Sequence, residues 1–354
     1  MHHHSFLLAL LLLCLSWQVR GAMPNKKKPD TLMVALTGDL LLANTYKANS
    51  LPANGGEDLF AHATPWLRRA DIALGNLEGP LCDTSCNTTT KNKEHRFAFR
   101  CPPKYANVLA DAGYDFLSLA NNHIHDFGKA GIAQTTQTLD EVGIAHAGDV
   151  FHRSFVVVQR SGIRFGICAF GHNGYTYKHT DTTLAKKIIA KARKQCDVLI
   201  VSFHGGNEGQ TARHLPLAQE KYMTENRGNL RLFAHFCIDN GADIVFGHGP
   251  HVPRCVEVFK DRFIAYSLGN FCTPFGISLK GEMGYAPLIL VNIRPNGSFI
   301  NGQIFSYKQV PGVGPRYDAK HHCTTEIKAL TEEDVPEAPV EISKYGRIRY
   351  KKTK

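Results

Sequence analysis

The body of this chain lacks an excess of charge of either sign. The 354 residues contain 41 Lys and Arg against 31 Asp and Glu, but the excess of basic over acidic residues lies at the two ends. Residues 341–354 hold six of them against Glu341, whereas residues 31–340 are close to neutral. No nucleic-acid-binding motif is present, so no nucleic-acid partner is expected. The basic tail is expected either to touch a membrane surface or an acidic polymer, or to be a solvated end.

A long hydrophobic run is also missing. The apolar stretch at 5–17 is too short to span a bilayer comfortably, and small residues follow it at Gly21 and Ala22. We therefore predict a signal peptide over 1–22 and an extracytoplasmic location, whether secreted, periplasmic or membrane-anchored. An uncleaved anchor is the alternative. Cys14 is not preceded by the small residues of a lipid-attachment site, which argues against a lipoprotein.

The cysteines match no strong zinc-binding pattern. Ten are present, including Cys14 in the apolar N-terminal run. Cys82, Cys86 and Cys101 cluster in one predicted loop region, where some oxidation is expected in an exported protein, although the sequence gives no pairing. Five others lie in or near apolar runs and are predicted to be small buried residues: Cys168, Cys196, Cys237, Cys255 and Cys272.

Short apolar strands alternate with helical patterns along most of the chain. The predicted strands are 32–37, 72–74, 116–119, 165–170, 198–203, 244–246 and 263–267, and the predicted helices are 104–112, 132–142, 183–195 and 230–240. This alternation predicts an α/β fold with a largely parallel or mixed sheet and helices on its faces.

The C-terminal part of the sequence has a different pattern. Two apolar runs flank Pro295, Asn296 and Gly297, which is a strong hairpin signal. We predict a hairpin over 276–310 that completes the domain. Beyond it, prolines, charges and weak periodicity predict a basic, loosely ordered extension over 311–354.

Polar residues follow the ends of the apolar strands. Ligands of open α/β sheets bind outside the carboxyl ends of the strands, so these residues are expected to converge. They are Asp39, Glu78, Asn122, His123, His204, His248 and His251.

The residue types at these strand ends are those of metal and acid–base chemistry. Carboxylates such as Asp39 and Glu78 bind divalent cations, although a helix N-cap and a solvated turn are their respective alternatives. Asn122 would supply an amide oxygen and His123 a general acid, with Asp126 placed to orient the loop. An Asn-rich turn is the alternative there.

Histidines dominate the later strand ends. His204 closes an apolar strand, where an imidazole is a common metal ligand. His248 and His251 stand in Gly-His-Gly-Pro-His, where glycine and proline limit the conformational freedom lost on binding one ion. A polar surface turn is the alternative. The other histidines, His172 among them, have no comparable sequence context and are assigned no role.

Six ordered motifs within about 31–275 resemble the CapA-type family of poly-γ-glutamate capsule synthesis proteins. The motifs are Gly38-Asp39, Asn76-Leu77-Glu78, Ala120-Asn121-Asn122-His123 with Asp126-Phe127-Gly128, His204-Gly205-Gly206-Asn207-Glu208, Gly247-His248-Gly249-Pro250-His251-Val252, and Tyr266-Ser267-Leu268-Gly269-Asn270-Phe271. The resemblance implies an αββα sandwich related to calcineurin-like metallophosphoesterases.

The resemblance also implies site roles, residue by residue. It makes His123 the proton donor and gives one or two divalent metal ions (Mn, Zn or Fe) the ligands Asp39, Glu78, Asn122, His204, His248 and His251. Three features depart from the wider superfamily. The usual Asp-x-His is absent, since Leu40 and Leu41 follow Asp39. Glu78 replaces an expected aspartate, and His248 and His251 are three residues apart rather than two. The number of ions is therefore left open.

Two functions remain open at this stage. The first is a metal-dependent hydrolase or transferase, phosphoesterase-like, acting on an anionic polymer or a phosphorylated cell-envelope substrate during capsule synthesis or export. The second is a non-catalytic, polymer-binding component of a capsule export assembly, which the altered first motif and the basic segment 344–354 favour.

Overall fold

A computed structural model of the chain describes residues 29–46, 50–89 and 98–351. The predicted signal peptide, 1–22, lies outside these residues. In the part described, no helix is long and apolar enough to cross a membrane.

The strands of the first half of the chain are β1 Leu32–Leu40, β2 Ile72–Leu77, β3 Phe116–Ser118, β4 Ala145–Ala147, β5 Phe155–Arg160, β6 Ile163–Phe170, β7 Val198–His204, β8 Glu220–Tyr222 and β9 Glu225–Gly228. Those of the second half are β10 Ile244–His248, β11 Val256–Phe259, β12 Arg262–Ala265, β13 Asn270–Cys272, β14 Tyr285–Ile293, β15 Phe299–Val310, β16 Gly314–Tyr317, β17 Val340–Ile342 and β18 Arg347–Tyr350. The α-helices are α1 Thr64–Leu67, α2 Tyr105–Ala112, α3 Gly128–Glu141, α4 Thr182–Arg193, α5 Leu230–Asp239 and α6 His322–Asp334.

Two large sheets organise the described residues. The first runs β17-β18-β15-β14-β1-β2-β3-β4, with β13 added to β1 and β16 to β15. The second runs β11-β12-β10-β7-β6-β5. Within the run β1-β2-β3-β4 of the first sheet and the run β6-β7-β10 of the second, each strand is parallel to the next. Such crossovers are right-handed, so the connecting helices of each sheet lie on one face of it.

The apolar side chains complete a four-layer sandwich. One face of β1, with Leu32, Val34 and Leu36, packs into a core shared with the second sheet. Its other face, with Ala35, packs into a separate core that contains residues of α2 and α3. Helices α2 and α3 cover the outer face of the first sheet, and α4 and α5 pack on the second, so the predicted αββα architecture is confirmed.

The predicted hairpin is present as β14 and β15, which pair antiparallel. β14 also pairs antiparallel with β1 along six residue pairs, from Leu32 with Ile293 to Thr37 with Leu288. The hairpin thus extends the first sheet directly beside its first strand.

The loosely ordered extension predicted over 311–354 is wrong for the residues described. Helix α6 buries Cys323, Ile327 and Leu330, and β17 and β18 pair with each other and with β15. Two buried threonines also tie α6 to the sheets. Thr324 exchanges a hydrogen bond of 3.1 Å with Ser306, and Thr331 accepts one of 3.1 Å from the backbone of β11. The segment has few apolar residues in sequence, yet most of its aliphatic residues after 320 are buried.

The cysteines of the described residues are all buried free thiols. The five predicted to be small buried residues are confirmed as such. Cys82, Cys86 and Cys101 are also free, contrary to the expectation of oxidation in this region.

Candidate metal-dependent active site

Two carboxylates from neighbouring strands of the first sheet lie at the centre of the site. Asp39 is inside β1 and Glu78 directly follows β2, and neither side chain is exposed. Asn76 joins them, because its side-chain amide donates to Asp39 Oδ1 (2.9 Å) and to Glu78 Oε2 (2.6 Å). The N-cap alternative for Asp39 and the solvated-turn alternative for Glu78 are both excluded by this placement.

Two histidines reach the carboxylates from the second sheet. His204 ends β7 and His248 ends β10, and the two residues are paired in the parallel register of these strands. His204 Nε2 lies 3.4 Å from Glu78 Oε2, and His248 Nδ1 lies 3.2 Å from Asp39 Oδ1. Neither contact is aligned as a hydrogen bond. The edges of both sheets therefore meet at one buried cluster.

The loop after β10 adds a third imidazole. His251 Nδ1 lies 3.0 Å from both Asp39 Oδ2 and Asn270 Oδ1. His251 has a φ of 59°, a left-handed conformation that is uncommon outside glycine and is found at functional sites. The preceding Gly249 has a φ of 116°, and a Cβ there would lie 2.3 Å from the carbonyl oxygen of Gly205. His248 and His251 are both buried, which excludes a polar surface turn.

Opposite charges stabilise each other inside this cluster. Burial raises the pKa of Asp39, but its close contacts with His248 and His251 lower it well below the usual range. Burial also raises the pKa of Glu78, and His204 brings it below the ordinary value. Burial lowers the pKa of His251, yet Asp39 raises it to about 9. The cluster therefore favours ionised carboxylates.

A second acid–base pair lies beside the cluster. His123 Nδ1 is 2.9 Å from Asp126 Oδ2, and the backbone N–H of Phe99 donates to the same oxygen (2.8 Å). The Phe99 ring packs on the imidazole with centroids 4.2 Å apart. Burial lowers the pKa of His123, but the carboxylate of Asp126 raises it above its ordinary value. The contact with Asp126 occupies Nδ1 and fixes the orientation of the ring. Nε2 is then the ring nitrogen that is left to exchange a proton with a ligand.

The two neighbouring asparagines have different contacts. Asn121 donates to Asn76 Oδ1 (3.1 Å) and to the carbonyl of Leu77 (2.7 Å), so it links this loop to β2. Asn122, the predicted ligand, has a buried Oδ1 with no hydrogen-bond partner among the described residues. Its carbonyl accepts a hydrogen bond of 2.7 Å from Tyr175. Asn121 thus positions the loop, and Asn122 keeps a free acceptor.

The donor atoms of this site fit a divalent cation. As they stand, no three His, Cys, Asp or Glu side chains of the described residues are arranged around one point as a metal centre. However, several buried donor atoms lack hydrogen-bond partners within the same residues, which is rare for buried polar groups. These are Glu78 Oε1, Asn122 Oδ1, and both ring nitrogens of His204 and of His248. A mixed set of imidazole nitrogens and carboxylate or amide oxygens suits Zn, Mn or Fe.

Sequence reasoning missed several residues that support this site. Asn76 and Asn270 lie inside the family motifs and contact the predicted ligands Asp39 and His251, so their place in these motifs was an available signal. His172 was assigned no role, yet its ring stacks on that of His204 with centroids 5.7 Å apart, and its Nδ1 lies 3.3 Å from the carbonyl of His204. Tyr175 stacks on His125 at 4.7 Å. No spacing in the sequence indicates these last contacts.

Fold and site together define an αββα sandwich with a buried carboxylate–histidine cluster where the carboxyl ends of the strands meet. The family model described as "Bacterial capsule synthesis protein PGA_cap" matches residues 33–274, and the chain belongs to this family.

Curated relatives agree with this membership. "PGA biosynthesis protein CapA" of Bacillus subtilis is 25% identical over 306 residues, which cover 82% of this chain and 75% of that protein. "Capsule biosynthesis protein CapA" of Bacillus anthracis is 26% identical over 316 residues, with 83% and 72% covered. A "probable polyglutamine synthesis accessory protein" of Mycobacterium tuberculosis is 26% identical over 298 residues, with 68% and 74% covered.

Solved structures with similar folds are more distant. A phosphatase of Mycoplasma pneumoniae has a TM-score of 0.49 at 13% identity, with 82% of this chain and 95% of that chain covered. A putative 5'-nucleotidase of Staphylococcus aureus has a TM-score of 0.45 at 12% identity, with 85% and 58% covered. These likenesses are too low to bear on activity.

Proposed function

We propose that this protein is an extracytoplasmic, metal-dependent hydrolase or transferase that acts in the synthesis or export of poly-γ-glutamate or a similar capsule polymer. The observation that carries the enzymatic part is the set of buried, unpartnered donor atoms that both sheets bring to one cluster. Family membership and the printed names of the curated relatives support the capsule part.

The residues divide into two groups by role. The candidate ligands of the divalent cation are Asp39, Glu78, Asn122, His204, His248 and His251. A divalent cation held by these residues would supply polarisation of a phosphoryl or acyl oxygen and a pKa of bound water lowered from about 15.7 towards 7. Asn76 and Asn121 hold the carboxylates and the loop in place. His123 donates a proton to the leaving group, and Asp126 fixes the orientation of its ring.

Metal analysis of the purified chain, combined with a phosphodiesterase assay, tests this proposal. We expect bound Mn, Zn or Fe, activity that chelation abolishes, and loss of both in His251→Ala. His123→Ala should keep the metal and lose roughly 10²–10⁴-fold in rate. His214→Ala is the matched control, because this half-exposed histidine pairs with Asp334 away from the site. A metal-free protein that is indifferent to chelators would contradict the proposal.

A non-catalytic, polymer-binding role is the second candidate. It is supported by three exposed basic residues, Lys344, Arg347 and Arg349, on and beside strand β18. Removal of 341–354 would delete most of β17 and all of β18, so charge reversal is the better test. Replacement of these three residues by Glu should lower the affinity for poly-γ-glutamate. It should also make the remaining affinity less dependent on salt concentration. Unchanged binding would remove the basic strand from consideration as a polymer or membrane contact.

A further inference from the structure

Two buried arginines near the site differ in how fully they are bonded. Arg254 uses all three of its guanidinium nitrogens: Nε donates to the carbonyl of Ala212 (2.7 Å), and Nη1 and Nη2 donate to the two oxygens of Glu220 (2.8 and 2.7 Å). Arg227 is equally buried, at 2% exposure. Its Nη1 is buried and has no hydrogen-bond partner among the described residues.

The rest of the Arg227 guanidinium is held rigidly. Nε donates to Glu225 Oε2 (2.8 Å), and Nη2 lies 2.8 Å from both Glu225 Oε2 and Glu208 Oε1. The Tyr222 ring covers the group with its centroid 5.1 Å from the central carbon. A guanidinium stays charged in proteins, and a buried donor without a partner destabilises the fold. Two carboxylates therefore fix this side chain while one of its nitrogens stays unused.

Arg227 lies close to the predicted ligand His204. Its backbone carbonyl accepts a hydrogen bond of 3.0 Å from Gly206, two residues beyond His204. Its partner Glu225 lies 3.3 Å from His172 Nε2, and the His172 ring stacks on that of His204. Only two side chains separate the guanidinium from the candidate metal site.

The hairpin that carries Arg227 is attached to the fold by side-chain and loop contacts and not by pairing with a large sheet. Within the described residues, β8 and β9 form a two-stranded sheet of their own, outside the two large sheets. An isolated two-stranded ribbon is marginally stable in water. At its tip, Met223 is 84% exposed and has a φ of 50°. An oxyanion that reaches Nη1 would complete the hydrogen bonds of this guanidinium.

We propose that Arg227 binds an oxyanion of the ligand through Nη1, so that the substrate of this site carries a carboxylate or phosphoryl group beside its reacting bond. This inference rests on the proposed function. The planar fork of an arginine suits both groups, and charge-assisted hydrogen bonds of this kind are about twice as strong as neutral ones. A γ-linked glutamyl polymer and a phosphate ester both supply such an oxyanion.

Binding of two probes to the full-length chain tests the inference and separates the two sources. Calorimetric titrations use inorganic phosphate and a γ-linked glutamate oligomer, each with and without Mn²⁺. Arg227→Lys keeps the charge but loses the unused nitrogen, and we expect about tenfold to hundredfold weaker binding of the preferred probe. Arg254→Lys is the matched control and should leave probe affinity unchanged, because all nitrogens of Arg254 already have protein partners.

A second variant changes affinity in the opposite direction. Glu208→Gln removes a negative charge that competes for the guanidinium, so we expect severalfold tighter binding of the same probe. This variant also decides the matter if Arg227→Lys fails to fold. Weaker or unchanged binding in Glu208→Gln would overturn the inference.

The outcomes distinguish the inference from the proposed function. Wild-type protein that binds no metal contradicts the proposed function. Metal-loaded protein that binds neither probe, or that binds them equally well after Arg227→Lys, contradicts the inference alone. Affinity for phosphate only, or for the oligomer only, identifies which oxyanion the site takes.

Discussion

Strand β10 connects two buried ionisable residues that differ in how many polar contacts they make. Asp243, just before the strand, is 3% exposed, and its oxygens contact Arg193 (2.6 Å), Arg262 (3.0 Å) and the backbone N–H of Leu199 (2.8 Å). His248, at the other end, is fully buried, and neither ring nitrogen has a hydrogen-bond partner among the described residues. One short strand thus carries a satisfied charge at one end and an unsatisfied imidazole at the other.

The difference shows how this fold separates stability from chemistry. Breaking a buried ion pair by removal of one partner is strongly destabilising, because the other charge remains buried. Unpartnered buried groups do not stabilise the fold and are retained where they serve a ligand. We therefore expect changes at the Asp243 end to affect folding and changes at the His248 end to affect metal binding.

The largest expected effect is at the satisfied end. Asp243→Ala should lower the free energy of unfolding of the metal-free protein by about 3–5 kcal/mol, since it leaves Arg193 without its buried partner. Urea denaturation measures this change. Asp239→Ala is the control, because its pair with Lys260 is exposed and such pairs contribute about 0–1 kcal/mol. Equal effects of the two variants would contradict the comparison.

At the unsatisfied end, the expected effect depends on metal. A metal ion at 100 times its dissociation constant should raise the free energy of unfolding by about 2.7 kcal/mol. Asp39→Asn, which removes a charge at constant size, should abolish that increase. Thermal unfolding with and without Mn²⁺ measures it, and His214→Ala should keep it. A metal-induced increase that survives in Asp39→Asn would break the assignment.

A smaller effect is expected where the two strands that carry Asp39 and Asn270 approach each other. A Cβ on Gly38 would lie 2.0 Å from the carbonyl oxygen of Gly269, so Gly38→Ala must push these strands apart. We expect a loss of about 1–3 kcal/mol in unfolding free energy, together with weaker metal binding. Gly174→Ala is the control, since nothing lies within 4 Å of a Cβ there. Full metal affinity in Gly38→Ala would show that this approach is not needed for the site.

The smallest expected effect is the contribution of Glu257, a carboxylate with hydrogen-bond partners, to the pH dependence of stability. Burial raises the pKa of Glu257, but hydrogen bonds from His235 (3.0 Å) and Tyr266 (2.6 Å) lower it below its ordinary value. Stability from such a group is present above the unfolded pKa of about 4.3 and is lost as the pH falls through the folded value. In Glu257→Gln, the loss of unfolding free energy between neutral and acidic pH should be smaller than in the wild type by on the order of 1 kcal/mol.

Urea midpoints of the wild type and of Glu257→Gln, measured from pH 7 to pH 3, test this expectation. The two curves should differ most near neutral pH and converge in acid. Curves that stay parallel over the whole range would show that Glu257 gains nothing from its partners.

The candidate site could be predicted largely because its residues end apolar strands. Asp39, Glu78, His204 and His248 each stand at or just after such an end, and parallel strands of a sandwich bring these ends together. The sequence predicted Asn122 as a ligand but gave no role to Asn121, since only the turn geometry decides which amide faces β2. Arg227 had no signal at all, because its importance depends on which of its nitrogens lacks a partner.

The C-terminal region was less predictable for a physical reason. The turn residues Pro295, Asn296 and Gly297 predict its hairpin, because turn preferences act locally. Helix α6 and strands β17 and β18 depend instead on contacts with residues distant in the chain, such as those between Thr324 and Ser306 and between Ile348 and Gly302. Local patterns carry no information about such partners.

The sequence by itself determined the alternation of strands and helices, the hairpin and the chemical types at the strand ends, because periodicity and turn chemistry act between near neighbours. Only the tertiary structure decided that Asp39 meets His251, that Asp243 is satisfied while His248 is not, and that Arg227 keeps a free nitrogen. Each of these depends on distances between side chains of different strands and loops, and burial makes an unpaired polar group there costly.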